Sequence, residues 1–208
     1  MLGKGRSPSL SSRLVRWIIL KLYRWMGWKL EGGIPETRKF VIAGAPHTSN
    51  WDFVFFTGAT NELGLMPNFM GKHTLFRWPM KRFMEDMGGI PVDRRSRANY
   101  VDQVAAEFAR RDELALVVAA EGSRTTDGSW KSGFYHIAQA AGVPIVPTWV
   151  CNKTRRLGFG PALWPSGDYP ADLAQIAAYM RAMVPDEPRF KVLEAQANQL
   201  LEEQKHAA

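Results

Sequence analysis

His47 and Asp52 lie five positions apart in the stretch APHTSNWD. Residues of a regular helix advance by about 100° each, so side chains four apart share a face whereas those five apart diverge by about 140°. The two can meet only if His47 stands on a turn ahead of a helix and Asp52 lies in that helix's first turn. The carboxylate then holds one imidazole nitrogen and leaves the other to move a proton, which is the pairing of a general base with an orienting acid. A capping and salt-bridge pair without chemistry is the alternative for these two residues taken alone.

Two kinds of element must place the pair. KFVIAGA, residues 39–45, is a short apolar run that reads as a buried strand ending just before His47. Ser49 and Asn50 are N-cap candidates for a helix over 52–63. Downstream, apolar runs alternate with helical patterns, the signature of an α/β domain whose sheet is mostly parallel, mixed at the edge, and flanked by helices. Strands are expected over 67–71, 89–93, 114–120 and 144–151, and residues 155–165 could add an edge strand despite their Gly and Pro content. Helices are expected over 75–87, 98–111, 132–141, 171–183 and 189–205.

In open sheets of this kind ligands bind beyond the carboxyl ends of the strands. The first four strands of this reading are followed closely by His47, Lys72, Arg94 and Glu121. Parallel pairing would gather a base, two cations and a carboxylate at one edge, with Arg95, Arg97 and Arg124 adding positive charge. Glu121 could equally pair with Arg124 to pin a turn, which is compatible with a role in a site.

Composition narrows the choice. With 208 residues, 46% hydrophobic and 23% charged, the chain can bury a proper core and reads as one α/β domain, 33–208, preceded by a tail and amphipathic helix, 1–32. A single cysteine, Cys151, and four scattered histidines point to a reducing compartment, no internal disulfide and no metal site. The net charge of +7 favours an anionic partner: nucleic acid, an acidic membrane surface or a phosphorylated substrate. Neither a G-x-S-x-G elbow nor a glycine-rich nucleotide cradle is present. A histidine held by an aspartate, with cations nearby and no serine or cysteine partner, suits deprotonation of a substrate hydroxyl that attacks an activated acyl group.

Residues 10–30, LSSRLVRWIILKLYRWMGWKL, project as a helix with Leu14, Val15, Ile18, Ile19, Leu22, Tyr23, Trp25, Met26 and Leu30 on one arc. Arg13, Arg16, Lys21 and Arg24 fall on the other side, near Trp17 and Trp28. Charges recur too often for a transmembrane span, and the apolar core and cleavage site of a signal peptide are lacking. The segment reads as an interfacial helix on the cytoplasmic face of a membrane, with tryptophans at the boundary. An ordinary amphipathic helix docked on the domain is the other reading, and the two can hold together.

Four ordered blocks give a closer resemblance. HTSNWD fits H-x-x-x-x-D, GGIPVDR fits a Gly, Ile or Phe, and Arg pattern, EGSRT fits E-G-[TS]-R, and VPIVP fits V-P-[IV]-V-P. Together they resemble the glycerolipid acyltransferases typified by 1-acylglycerol-3-phosphate (lysophosphatidate) acyltransferase, across about residues 39 to 150.

The resemblance implies that His47 takes the proton of the acceptor hydroxyl while Asp52 holds the other ring nitrogen. It implies that Lys72 and Arg94 hold an acceptor phosphate, with Arg124 a third cation. Glu121 would position the glycerol hydroxyl, Gly122 would let the backbone come close, and Ser123 completes the substrate-binding block. No cofactor is expected. The co-substrate would be acyl-coenzyme A or acyl carrier protein, and the acceptor a lysophospholipid. Pro46 stands where the family usually has Asn, Ala120 where it has Pro, and Ser123 where it has Thr, which leaves the acceptor open to other lysolipids or acylated amphiphiles. A non-catalytic basic membrane protein is the reading from another class. A nucleic-acid partner is not expected, because the aromatics sit among aliphatics in amphipathic positions and no such motif appears.

Overall fold

The computed structural model describes residues 7–47, 51–93, 98–123 and 126–207. Its elements run α1 (Leu10–Trp25), β1 (Lys29–Gly32), β2 (Lys39–Ala45), α2 (Trp51–Glu62), β3 (Asn68–Lys72), a 3-10 turn (His73–Phe76), α3 (Lys81–Asp86) and β4 (Gly89–Val92). They continue with α4 (Ala98–Arg110), β5 (Leu114–Ala119), α5 (Gly133–Ala141), β6 (Ile145–Cys151), β7 (Arg156–Phe159), α6 (Tyr169–Met183) and α7 (Pro188–Ala207). Among the described residues, seven strands make one sheet in the order β1-β7-β6-β2-β5-β3-β4. Only β6 and β7 pair antiparallel, so β7 and the edge strand β1 run opposite to the other five strands, which are mutually parallel.

β2 sits between β5 and β6 and is covered on both faces, as its unbroken apolar run requires. Side chains alternate along it. Val41, Ala43 and Ala45 join a core with Phe108 of α4, Phe134 of α5, Leu173 of α6 and Phe190 of α7. Phe40 and Ile42 face the other way, into a core with Tyr23 of α1 and with Phe55 and Ala59 of α2. Here α2 lies between the sheet and α1, so apolar residues ring it instead of forming one stripe. Gly58 is what lets α1 approach, for a Cβ built at that position would come within 2.1 Å of the Tyr23 ring.

The expected strands are all present, but the one expected at the edge over 155–165 is β7, which lies inside the sheet because β1 pairs along its outer side, and two helices differ. The helix expected over 10–30 stops at Trp25, where Gly27 takes a left-handed conformation at φ +69°, and the chain re-enters as β1 beside β7. The helix expected over 75–87 is divided into the 3-10 turn and α3, because Trp78 precedes Pro79 and a residue in that position is driven out of helical geometry. The apolar arc read on α1 is also divided. Ile19 and Tyr23 are buried against the domain, whereas Leu14, Ile18 and Trp25 are 57%, 42% and 82% exposed and share the outer surface with Trp17. No helix among the described residues is long and apolar enough to cross a membrane.

Candidate active site

The register between two adjacent parallel strands makes the site. Gly44 of β2 lies opposite Ala119 of β5, so His47 and Glu121, three and two residues beyond, emerge side by side at the carboxyl edge of the sheet. The chain moves from β4 at one edge back to β5, and from β5 across β2 to β6. The site therefore occupies the point where strand order reverses, the usual place for a ligand crevice.

His47 follows β2 and Asp52 is the second residue of α2, as the spacing requires. His47 Nδ1 lies 3.0 Å from Asp52 Oδ2, and the Asp52 side chain is 14% exposed against 36% for His47. A carboxylate only accepts, so Nδ1–H donates to Asp52, and in the neutral imidazole this tautomer puts the lone pair on Nε2. The proposed N-cap residues Ser49 and Asn50 lie outside the described residues.

The backbone of His47 is fixed separately. Its N–H donates to Glu121 Oε2 at 3.1 Å, and Arg189 Nη1 of α7 donates to the same oxygen at 2.6 Å. Glu121 is fully buried, and its Oε1 has no hydrogen-bond partner among the described residues. Burial pushes the Glu121 carboxyl above its ordinary value of 4.5, while the His47 N–H and the Arg189 charge act against that rise. Gly122 follows at φ +74°, and a Cβ there would press on the Lys131 side chain at 2.9 Å.

His47 and Asp52 border a cavity of about 200 Å³ between α2 and the sheet. Its walls are mainly apolar, with Phe53 and Phe56 from α2, Phe69 from β3, Val117 and Val118 from β5 and Val150 from β6. Arg16 of α1 and Asp86 of α3 also line it. Burial pushes Asp86 upward, but the Ser9 N–H at 2.9 Å and the Ser12 hydroxyl at 2.8 Å hold its carboxyl below the ordinary range. These bonds latch the start of α1 onto α3.

A family model described as Acyltransferase matches residues 30–151, more than half of the chain. The chain belongs to this acyltransferase family. One relative, a 1-acyl-sn-glycerol-3-phosphate acyltransferase of Haemophilus influenzae, is 30% identical over 159 residues, covering 72% of this acyltransferase chain and 64% of that protein's length. The crystal structure of the 1-acyl-sn-glycerophosphate (LPA) acyltransferase PlsC from Thermotoga maritima shares the fold with a TM-score of 0.57. At 19% identity, that match covers 95% of this chain and 84% of that one.

Within the candidate site of this acyltransferase, His47, Asp52 and Glu121 come together, and Gly122 and Ser123 follow Glu121 on the same loop, where the Ser123 carbonyl accepts from the Thr126 hydroxyl at 3.4 Å. Lys72 ends β3 with an exposed side chain and does not line the cavity. Arg94 and Arg124, read as phosphate-binding cations, lie outside the described residues, as do Arg95 and Arg97. Arg189 escaped the sequence reading. It stands near the start of a helix about seventy residues beyond Glu121, in no motif, so no local signal announced it. Among the described residues no cluster of His, Cys, Asp or Glu is arranged to hold a metal ion.

Proposed function

We propose that this acyltransferase moves a fatty acyl group from a thioester of coenzyme A or acyl carrier protein to the hydroxyl of a lysophospholipid, with 1-acylglycerol-3-phosphate the leading acceptor and phosphatidate the product. The observation that carries the reading is the 3.0 Å contact of His47 Nδ1 with Asp52 at the rim of an apolar cavity. Nε2 takes the acceptor's hydroxyl proton as its oxygen attacks the thioester carbonyl, and Asp52 stabilises the imidazolium that forms. The tetrahedral intermediate then expels the thiolate, which recovers the proton from His47. The apolar cavity suits the hydrocarbon of the acyl group. Glu121 positions the acceptor hydroxyl, with Gly122 and Ser123 on the same loop, and Lys72, Arg94 and Arg124 are assigned the acceptor phosphate from the sequence blocks.

The enzyme works at the cytoplasmic face of a membrane without spanning it. Leu14, Trp17, Ile18 and Trp25 form an exposed apolar strip on α1, and the net charge of +7 suits an anionic surface. Thiol release from acyl-coenzyme A on addition of lysophosphatidate, with phosphatidate identified by mass spectrometry, tests the reaction. A panel of lysolipids tests the acceptor. Faster turnover of a lysolipid without a phosphomonoester would replace lysophosphatidate, and release independent of every lysolipid would overturn the reading.

A further inference from the structure

We infer that Arg189 is a positioning residue for acyl transfer: through Glu121 it fixes the turn that carries His47, although it lies on α7, outside the segment that matches the family. The inference rests on His47 acting as the base.

A buried carboxylate is tolerated only where charge and hydrogen bonds compensate for lost water. The groups facing Glu121 are the His47 N–H from the turn after β2 and the Arg189 guanidinium from α7; Lys131 packs beside Gly122 on the same loop. Glu121 Oε2 thus joins two bonds of different origin, one holding the carboxylate and the other holding the catalytic turn. Because the second bond goes to the backbone of His47, a displaced Glu121 would rotate the Cα–Cβ direction of the base itself. Misplacement of a reacting group by about 1 Å can cost roughly 10²-fold in rate.

Arg189 is itself rigidly placed against the loop it serves. Gln196, two turns further along α7, clasps Trp130 by receiving its N–H and donating to its carbonyl, both at 2.8 Å. Gly128 makes room for Arg189, since a Cβ there would come within 2.7 Å of Arg189 Cβ. The Arg189 N–H donates to Glu187 at 3.2 Å, and Asp127 lies within electrostatic reach of the guanidinium. The α7 helix therefore braces the loop bearing Glu121 at three successive points.

The test uses the full chain and compares wild type with Arg189→Lys, Arg189→Gln and His47→Ala, measuring kcat, the KM for acyl-coenzyme A, melting temperature and the ring resonances of ¹⁵N-labelled histidine. Arg189→Gln is expected to lower kcat by roughly 10²-fold with the donor KM held within about twofold, and to shift the His47 resonances. Arg189→Lys keeps the charge but loses the fork, so its kcat falls between the two. Should Arg189→Gln fail to fold, Arg189→Lys decides: a several-fold lower kcat with displaced resonances supports the role, and wild-type values for both overturn it. Wild-type kcat in a folded Arg189→Gln overturns it too, whatever the melting temperature. An active His47→Ala would instead overturn the assignment of the base, an outcome separate from the failure of Arg189.

Discussion

The Tyr23 ring occupies the space that any side chain at position 58 would need, with its Cγ 2.1 Å from the Cβ an alanine there would carry. In a helix interior, glycine to alanine normally stabilises by about 1 kcal/mol. At Gly58 the sign should reverse. Overpacking costs about 1–3 kcal/mol, so Gly58→Ala is expected to lower the melting temperature and to expose α1 to limited trypsin digestion at Arg13 and Lys21. A variant that melts higher would show that Tyr23 swings aside freely.

The contact of Asp52 with His47 gives the second prediction. His47→Ala should lose about 10³-fold or more in kcat, and Asp52→Asn at least about 10²-fold, because an amide neither fixes the tautomer nor stabilises the imidazolium. Circular dichroism and melting should change little, since His47 is partly exposed. Turnover by Asp52→Asn within a few-fold of wild type would remove the aspartate from the mechanism.

Glu121 supplies a dependence on pH. Its folded-state affinity for a proton is raised, chiefly by burial, from an ordinary pKa of 4.5. Between 4.5 and the higher folded value the native chain holds a proton that the unfolded chain has released, so the group's contribution to stability is complete below 4.5 and is lost as pH rises through the folded value. The melting temperature of wild type minus that of Glu121→Gln should therefore fall as pH is raised across this window. A difference that grows with pH would mean that the pairing with Arg189 outweighs burial.

Membrane contact is tested on the outer strip of α1. Trp17 and Trp25 are 57% and 82% exposed and neither lines the cavity. Wild type should sediment with vesicles containing anionic phospholipid and be released as salt is raised, whereas Trp17→Ser/Trp25→Ser should remain largely in the supernatant at every ionic strength. Equal sedimentation of the two would place the contact elsewhere on the chain.

Much of the fold could be read from the chain because its strands are short apolar runs between helical repeats. β2 was bounded to the residue by KFVIAGA, and the five-residue interval from His47 to Asp52 called for a base ahead of a helix and an acid in its first turn, which is where the two residues stand. The arc on α1 was harder, since periodicity reports which residues are apolar and not which of them find a partner. Ile19 and Tyr23 found one, whereas Leu14 and Trp25 did not. β1 was hidden inside the helical projection, although Gly27 marked the stop. Arg189 was invisible for a different reason: its meeting with Glu121 depends on where α7 docks, a long-range outcome that no spacing encodes.

Arg16 lines the cavity while its neighbour Trp17 points outward. Adjacent positions on one rigid helix, latched through Ser9 and Ser12 to Asp86, cannot respond independently. If α1 makes the membrane contact proposed for it, a bilayer that draws on the indole also draws on the guanidinium one peptide away, and the fatty chains turned over should then vary with the headgroups of the supporting vesicle, even though the protein's own covalent structure is unaltered.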